Sequence, residues 1–291
     1  MKTLTIILAT IVQLMGTIGQ TQPHVVPKLA PSAPIAADPV PVQTGNEPLD
    51  LNASSAVAVD TTTGTVLYSF NPNQKRPIAS ITKLVTCMVV LSRHGVNDKV
   101  TIGKLPTYQT ADETLGLEAG QVFTVGDLVK AALIQSADDS ADALAIYDAG
   151  STNAFAARMN SLMNEWGITN THFASASGLQ DENNYSTASS LVKIGELAMT
   201  NPTIRADVDE TTDTITDSAG QFYNLATIDQ LLYTGTFYGI KTGYTEGAGE
   251  SFVGITRVDG HQVVTVVLDA NDRFGSTQTL VNWIGRNWAW R

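Results

Sequence analysis

The sequence predicts a mixed α/β protein of the α+β type: an antiparallel sheet built from both chain ends, flanked by helices and carrying a helical subdomain. Three observations predict it. Strand-forming runs stand near the start ("AVAVDTTTGTVLYSF") and again near the end ("GIKTGY", "ESFVGITRV", "HQVVTVVLDA"). Helical periodicity fills the long stretch between them. Turn signals at Thr61-Thr62-Thr63-Gly64 and at Asp259-Gly260 join neighbouring runs as hairpins.

The chain of 291 residues is long enough for a sizeable core. Residues 1–19 read as a signal peptide. Lys2 gives a positive start, and the apolar segment Leu4 to Met15 is short for a membrane span, with cleavage expected between Gly16 and Gln22. Retention as a weak anchor is the alternative. Residues 20–50 hold seven of the 11 prolines and no apolar periodicity, the pattern of an extended linker. The folded domain is expected over 51–291, with no transmembrane segment beyond the signal region.

Within that domain the first hairpin comes before Ser80. Ile81, Leu84, Val85, Met88 and Leu91 then follow at helical spacing, with Gly95 as a stop. Further helices are expected at about 126–135, 139–149, 153–165 and 187–200, the third of them stopped by Gly167. After the last strands, "TLVNWIGRNWAW" suits a helix closing on the sheet.

The charge balance, 17 basic against 28 acidic residues, gives a net −11 and argues against nucleic acid or an anionic membrane as partner. A single cysteine, Cys87, excludes an internal disulfide and a multi-cysteine metal site. His24, His94, His172 and His261 are scattered without an H-E-x-x-H pair. No metal and no organic cofactor is implied.

Chemistry concentrates in "RPIASITKLVTCMVVL", where Ser80 stands three residues before Lys83 at the head of an apolar helix. Residues i and i+3 share a helix face, so the amine can reach the hydroxyl. A helix N-terminus disfavours a cation, which helps an amine act as base, and the Ser80 amide can help bind an oxyanion. An N-cap serine followed by a solvated lysine gives the same pattern. A second match, Ser190 to Lys193, lies inside a predicted helix with no preceding hairpin, and its hydroxyl is expected to bond its own backbone. Two other elements add to the first match: Ser136 and Asp138 in "IQSADDSADALA", at a break between helices, and Lys241-Thr242-Gly243 on a strand. Asp138 or Asp139 as a helix cap, and Lys241 as an exposed strand residue, are the plain readings of these.

With "PIASITKL", "SADDSADALA", "MNSLMNEWGITNTHFASASGL", "YSTASSL", "KTGYTEGAG" and "DRF" in that order, residues 51–291 resemble the D-alanyl-D-alanine carboxypeptidases, low-molecular-mass penicillin-binding proteins of the β-lactamase/transpeptidase-like fold. The resemblance implies an acylated nucleophile at Ser80, a general base at Lys83 and a proton relay at Ser136. It also implies positive charge near the substrate carboxylate from Lys241, a substrate hydrogen bond from Thr242 beside Gly243, and an oxyanion hole at the amides of Ser80 and Tyr244. Arg273 matches the family's arginine near the terminal carboxylate. Asp138 departs from the pattern, because the family's second motif is usually Ser-x-Asn. An ionised carboxylate beside Lys83 favours the ammonium and opposes its role as base, so Asp138 is expected to be protonated, turned away or offset by Lys241. Cys87, one turn beyond Lys83, is expected to be a small buried residue lining the wall beneath it.

The activity so implied is a secreted, extracytoplasmic, cell-envelope-associated serine D,D-carboxypeptidase. It acts on peptidoglycan stem pentapeptides and is inhibited by β-lactams. A D,D-endopeptidase or a β-lactamase would use the same acyl-serine chemistry, although the E-x-x-L-N of class A lactamases is missing between Asp138 and Lys241. A catalytically inactive peptidoglycan-binding protein is the alternative from another class.

Overall fold

The computed structural model describes residues 39–109, 113–179 and 183–291. The expected signal peptide at 1–19 and the linker as far as residue 38 lie outside the described residues.

Strands from the two chain ends form one antiparallel sheet. β1 (Ala53–Asp60), β2 (Val66–Phe70), β3 (Phe237–Gly243), β4 (Glu250–Val258) and β5 (His261–Ala270) lie in the order β3-β4-β5-β1-β2. The β1–β5 pairing, with Val59 opposite Val264 and Val57 opposite Val266, closes the chain on itself as expected. Side chains alternate across the pleat. Val57, Val59, Val264 and Val266 enter the larger core beneath the helical region. Ala56, Ala58, Val263 and Val267 face the other way and pack with Leu280, Trp283 and Ile284.

The helices are α1 (Thr82–Leu91), α2 (Val125–Ile134), α3 (Asp138–Ala149), α4 (Thr152–Glu165), α5 (Ala188–Thr200), α6 (Pro202–Asp207) and α7 (Arg273–Asn287). α7 covers one face of the sheet and α5 the other. α1 is buried from Thr82 through Val90 and packs against α2, α3, α4 and α5, so the apolar run after Ser80 becomes the centre of the helical region. Local chemistry sets the ends. Thr124 and Asp127 form a reciprocal capping box on α2, Thr187 caps α5, and Asn201 with Pro202 opens α6. Gly167 follows the end of α4 with φ +69, as expected of a stop.

Three expectations are corrected. α1 ends at Leu91, not at Gly95, and at that end the Ser92 hydroxyl donates to the Val89 carbonyl. The last tryptophans are not helical: Trp288–Trp290 is a short strand paired with Pro41–Gln43. The stretch read as linker therefore belongs to the folded domain from residue 39 onward. Trp283 Nε1 donates to the Glu47 carbonyl, and the Asn287 side chain accepts from the Glu47 amide. Trp290 Nε1 donates to Asp60 at 2.8 Å, and its ring stacks on His261. A proline-rich strand held by partners some 240 residues away shows no local periodicity, so composition alone reads it as a tether.

Candidate active site

The site starts from a strained turn. Ala79 has φ +46, a left-handed conformation that costs a non-glycine residue on the order of 1 kcal/mol or more. A single 3-10 turn, Ala79–Ile81, then feeds directly into α1. Neither helix end at this point carries a side-chain cap, so Ser80 is not an N-cap. Its hydroxyl instead accepts from Lys83 Nζ at 2.6 Å, across the expected i to i+3 spacing. Two glycines allow the surrounding chain to close on this turn. A Cβ on Gly243 would lie 2.6 Å from the Ile78 carbonyl oxygen, and one on Gly178, which has φ +88, would overlap Ala79.

The second serine also sits in a strained conformation. Ser136, between α2 and α3, has φ +67 and is fully buried. Its Oγ accepts from Lys241 Nζ at 2.9 Å. Lys241 lies on β3, the edge strand of the sheet, and is 2% exposed, so it is no surface strand residue. Burial first, and then the positive charge of Lys83, push its amine down to about 7. Next along β3, Thr242 is buried and its hydroxyl has no hydrogen-bond partner among the described residues.

Asp138 opens α3 and is not turned away. Its Oδ1 lies 2.6 Å from Lys83 Nζ, with both side chains almost wholly buried. Neither Asp138 nor Asp139 caps α3, whose N-cap residue Ala137 makes no side-chain cap bond. Asp139 points elsewhere, and its oxygens accept from the amides of Leu115, Gly116 and Leu117, which ties the preceding loop to the helix.

A cavity of about 350 Å³ opens onto these groups. Ser80, Ser136 and Asp138 line it from the helical side, and Thr242, Gly243, Tyr244 and Arg273 from the sheet side. Lys83 and Lys241 lie behind that lining, each against a serine hydroxyl. Arg273, the first residue of α7, donates from Nη1 to the Gly243 carbonyl at 3.1 Å, and Tyr244 stands 58% exposed at the mouth. The structure thus brings every sequence-predicted site residue to one place. Cys87 is fully buried, and burial drives its thiol well above the usual range. Ser190 receives the Thr187 hydroxyl and is not part of the site, while Lys193 is exposed.

Sequence reasoning missed three contributors. The Ser177 carbonyl accepts from Lys83 Nζ at 3.1 Å, the Asn184 amide donates to Thr82 at 2.6 Å, and Thr86 donates to the Ala176 carbonyl at 2.6 Å. Together they bind "ASASGL" and its continuation around the start of α1. Backbone acceptors leave no trace in residue type. Glu113 and Glu246 on the cavity wall were missed as well, since loop carboxylates are ordinary surface residues.

A family model described as D-alanyl-D-alanine carboxypeptidase matches residues 42–272. The D-alanyl-D-alanine carboxypeptidase DacC of Escherichia coli is 30% identical over 251 residues, covering 80% of this chain and 61% of that protein. The D-alanyl-D-alanine endopeptidase of Escherichia coli is 30% identical over 262 residues, covering 87% of this chain and 84% of that protein. The chain thus spans 61% of the first of these relatives and most of the second. Among solved structures, penicillin-binding protein D2 from Listeria monocytogenes in its ampicillin-bound form superposes with a TM-score of 0.71 at 28% identity, over 82% of this chain and 100% of that one. The sheet from both chain ends and the flanking helical region are therefore those of a known fold, and the chain belongs to the D-alanyl-D-alanine carboxypeptidase family.

Proposed function

We propose that this chain is a serine D,D-carboxypeptidase that removes the terminal D-alanine from peptidoglycan stem peptides through an acyl-enzyme on Ser80. We place it outside the cytoplasm, at the cell envelope, and propose that β-lactams acylate the same serine. The observation that carries the reading is the 2.6 Å contact between Lys83 Nζ and Ser80 Oγ beside the cavity. A hydroxyl becomes a competent nucleophile when a base at that distance takes its proton.

In this reading Ser80 Oγ attacks the carbonyl between the two terminal residues. The amides of Ser80 and Tyr244 receive the oxyanion, each such donor contributing roughly 2.7–4 kcal/mol to the transition state. The Ser136 hydroxyl, held by Lys241, delivers a proton to the leaving amine. Lys241 and Arg273 give the sheet side of the cavity positive charge, which suits the free carboxylate that defines a carboxypeptidase substrate. The unpartnered Thr242 hydroxyl offers that substrate a hydrogen bond. Water then releases the acyl group.

One observation favours a second reading. The endopeptidase relative is matched over 84% of its length, against 61% for the carboxypeptidase, and cleavage of a cross-link would use the same acyl chemistry. Chromatography of a stem pentapeptide and of a cross-linked dimer, each with wild type and Ser80→Ala, separates the two. Serine-dependent release of free D-alanine from the pentapeptide is expected. Cleavage confined to the dimer would favour the endopeptidase, and turnover of neither substrate would sink both.

A further inference from the structure

We propose that Asp138 is the proton acceptor of a Ser80–Lys83–Asp138 relay, in which Lys83 passes one proton to Asp138 as it takes that of Ser80. The inference rests on Ser80 being the nucleophile, as proposed above.

Three oxygens surround Lys83 Nζ: Ser80 Oγ at 2.6 Å and the Ser177 carbonyl oxygen at 3.1 Å accept its hydrogen bonds, and Asp138 Oδ1 lies 2.6 Å away in an ion pair. An ammonium has no lone pair, and two of its N–H groups are directed to Ser80 and the Ser177 carbonyl, so nothing basic faces the hydroxyl while Nζ keeps all three protons. A base needs that lone pair, and it appears only when a proton leaves Nζ. Of the three oxygens, the hydroxyl is the group to be deprotonated and the carbonyl is a poor base. Asp138 is the remaining destination, and it is already in contact. An asparagine in its place could accept a hydrogen bond but could not take the proton at any ordinary pH.

The surroundings favour the transfer. Lys83 is 0% exposed and its partner 1%, so water neither screens the pair nor competes for a proton passed between them. The ionisable groups around the pair are Lys241 from β3, Asp142 from α3, and Glu113 and Tyr108 from the loop before α2, while the Asp139 carboxylate turns away to backbone amides. Lys241 opposes protonation of Asp138, and the carboxylates promote it. Asp142, one turn along α3, accepts from the Tyr108 hydroxyl at 2.9 Å. Burial pushes it up to about 6, and Asp138 adds repulsion. That repulsion is mutual, so a proton arriving on Asp138 relieves both carboxylates.

The step balances. As Ser80 Oγ bonds to the acyl carbon, the electron pair of its O–H bond is freed for that attack and its proton goes to Nζ. A proton already on Nζ goes to Asp138 Oδ1. Lys83 stays an ammonium throughout and the carboxylate becomes a carboxylic acid; when Ser136 gives its proton to the nitrogen of the broken amide, the proton held on Asp138 is passed back by way of Lys83 to replace it.

The test measures the acylation rate constant with benzylpenicillin from about pH 4 to about pH 10, for wild type and Asp138→Asn, with Ser80→Ala alongside. The relay predicts that Asp138→Asn loses at least tenfold at about pH 7, and that its acid limb moves at least one unit to higher pH, because Lys83 must then release its proton to solvent. An unmoved limb overturns the relay. So does a variant that acylates as fast as wild type or faster, which would mean that Asp138 only holds Lys83 idle. A proton inventory on wild type, in mixtures of light and heavy water, needs no variant. A bowed dependence fits two protons in flight, and a straight line contradicts the relay. If Ser80→Ala is acylated like wild type, the nucleophile reading itself has failed, a result distinct from any of these.

Discussion

Lys241 Nζ lies 2.9 Å from Ser136 Oγ although the two residues are 105 apart in the chain, one on an edge strand and one between two helices. This contact ties the sheet to the helical region, so the cavity between Ser80 and Thr242 has two walls held by one buried amine. Because Lys241 is pushed down to about 7, its charge is present below that pH and is lost as pH rises through it. Its attraction for a substrate carboxylate follows the same course. KM for a stem peptide is therefore expected to rise between about pH 6 and about pH 8. Lys241→Gln should lower kcat/KM by about 10²–10³-fold, the equivalent of roughly 2.7–4 kcal/mol, and its KM should be flat over this window. A wild-type KM that does not change with pH would contradict the assignment.

Gly178 tests the close packing beneath the nucleophile. Its backbone is left-handed and a Cβ would overlap Ala79. Gly178→Ala should cost more than about 1 kcal/mol in stability, with a larger relative loss in acylation, since the turn that carries Ser80 must move. Denaturant unfolding and penicillin acylation on one preparation give both numbers. Loss of stability with an unaltered acylation rate would show that the turn is more tolerant than its geometry implies.

The proline-rich strand gives the opposite pattern. Trp290 joins residues 41–43 to Asp60 and His261, at the end of β5 where the strand begins. Thr242 and Gly243 pair near the other end of β4, opposite Phe252 and Ser251. Trp290→Ala should destabilise by about 1–3 kcal/mol and leave the acylation rate within about twofold, on the additivity of distant sites. A large fall in acylation with little loss of stability would refute this separation.

Asp207 allows a stability test away from the cleft. Burial pushes its carboxyl up to about 6, against an ordinary value near 3.8. Between those values the folded state holds a proton that the unfolded chain has lost. Its contribution is thus fully present below about pH 4 and declines as pH rises towards 6. Asp207→Asn should lose less melting temperature than wild type between about pH 4 and about pH 6. Parallel melting curves for the two proteins would show that Asp207 does not titrate in that range.

Much of the architecture was legible because it rests on local pattern. Val57 and Val59 alternate with Ala56 and Ala58, and the run after Ser80 has helical spacing. The site was legible where function needs particular residue types at short spacing, as with Ser80 and Lys83. Two kinds of feature stayed hidden. Residues 41–43 and 288–290 define each other across nearly the whole chain, and neither segment has a period of its own. The Ser177 carbonyl and the amides gripped by Asp139 are backbone groups, which every residue type supplies alike. Asp138 falls between these cases: its identity flagged a departure, but only the 2.6 Å approach to Lys83 showed that it is engaged.

The central claim is that Ser80, activated by Lys83, is the residue that becomes acylated. Labelling with a fluorescent penicillin followed by peptide mass mapping tests it most directly, with Ser80→Ala and the other Ser-x-x-Lys match, Ser190→Ala, run in parallel. The expected result is a stable adduct on the peptide containing Ser80, absent in Ser80→Ala and undiminished in Ser190→Ala. An adduct that survives Ser80→Ala, or no adduct on the wild-type chain, would contradict the account.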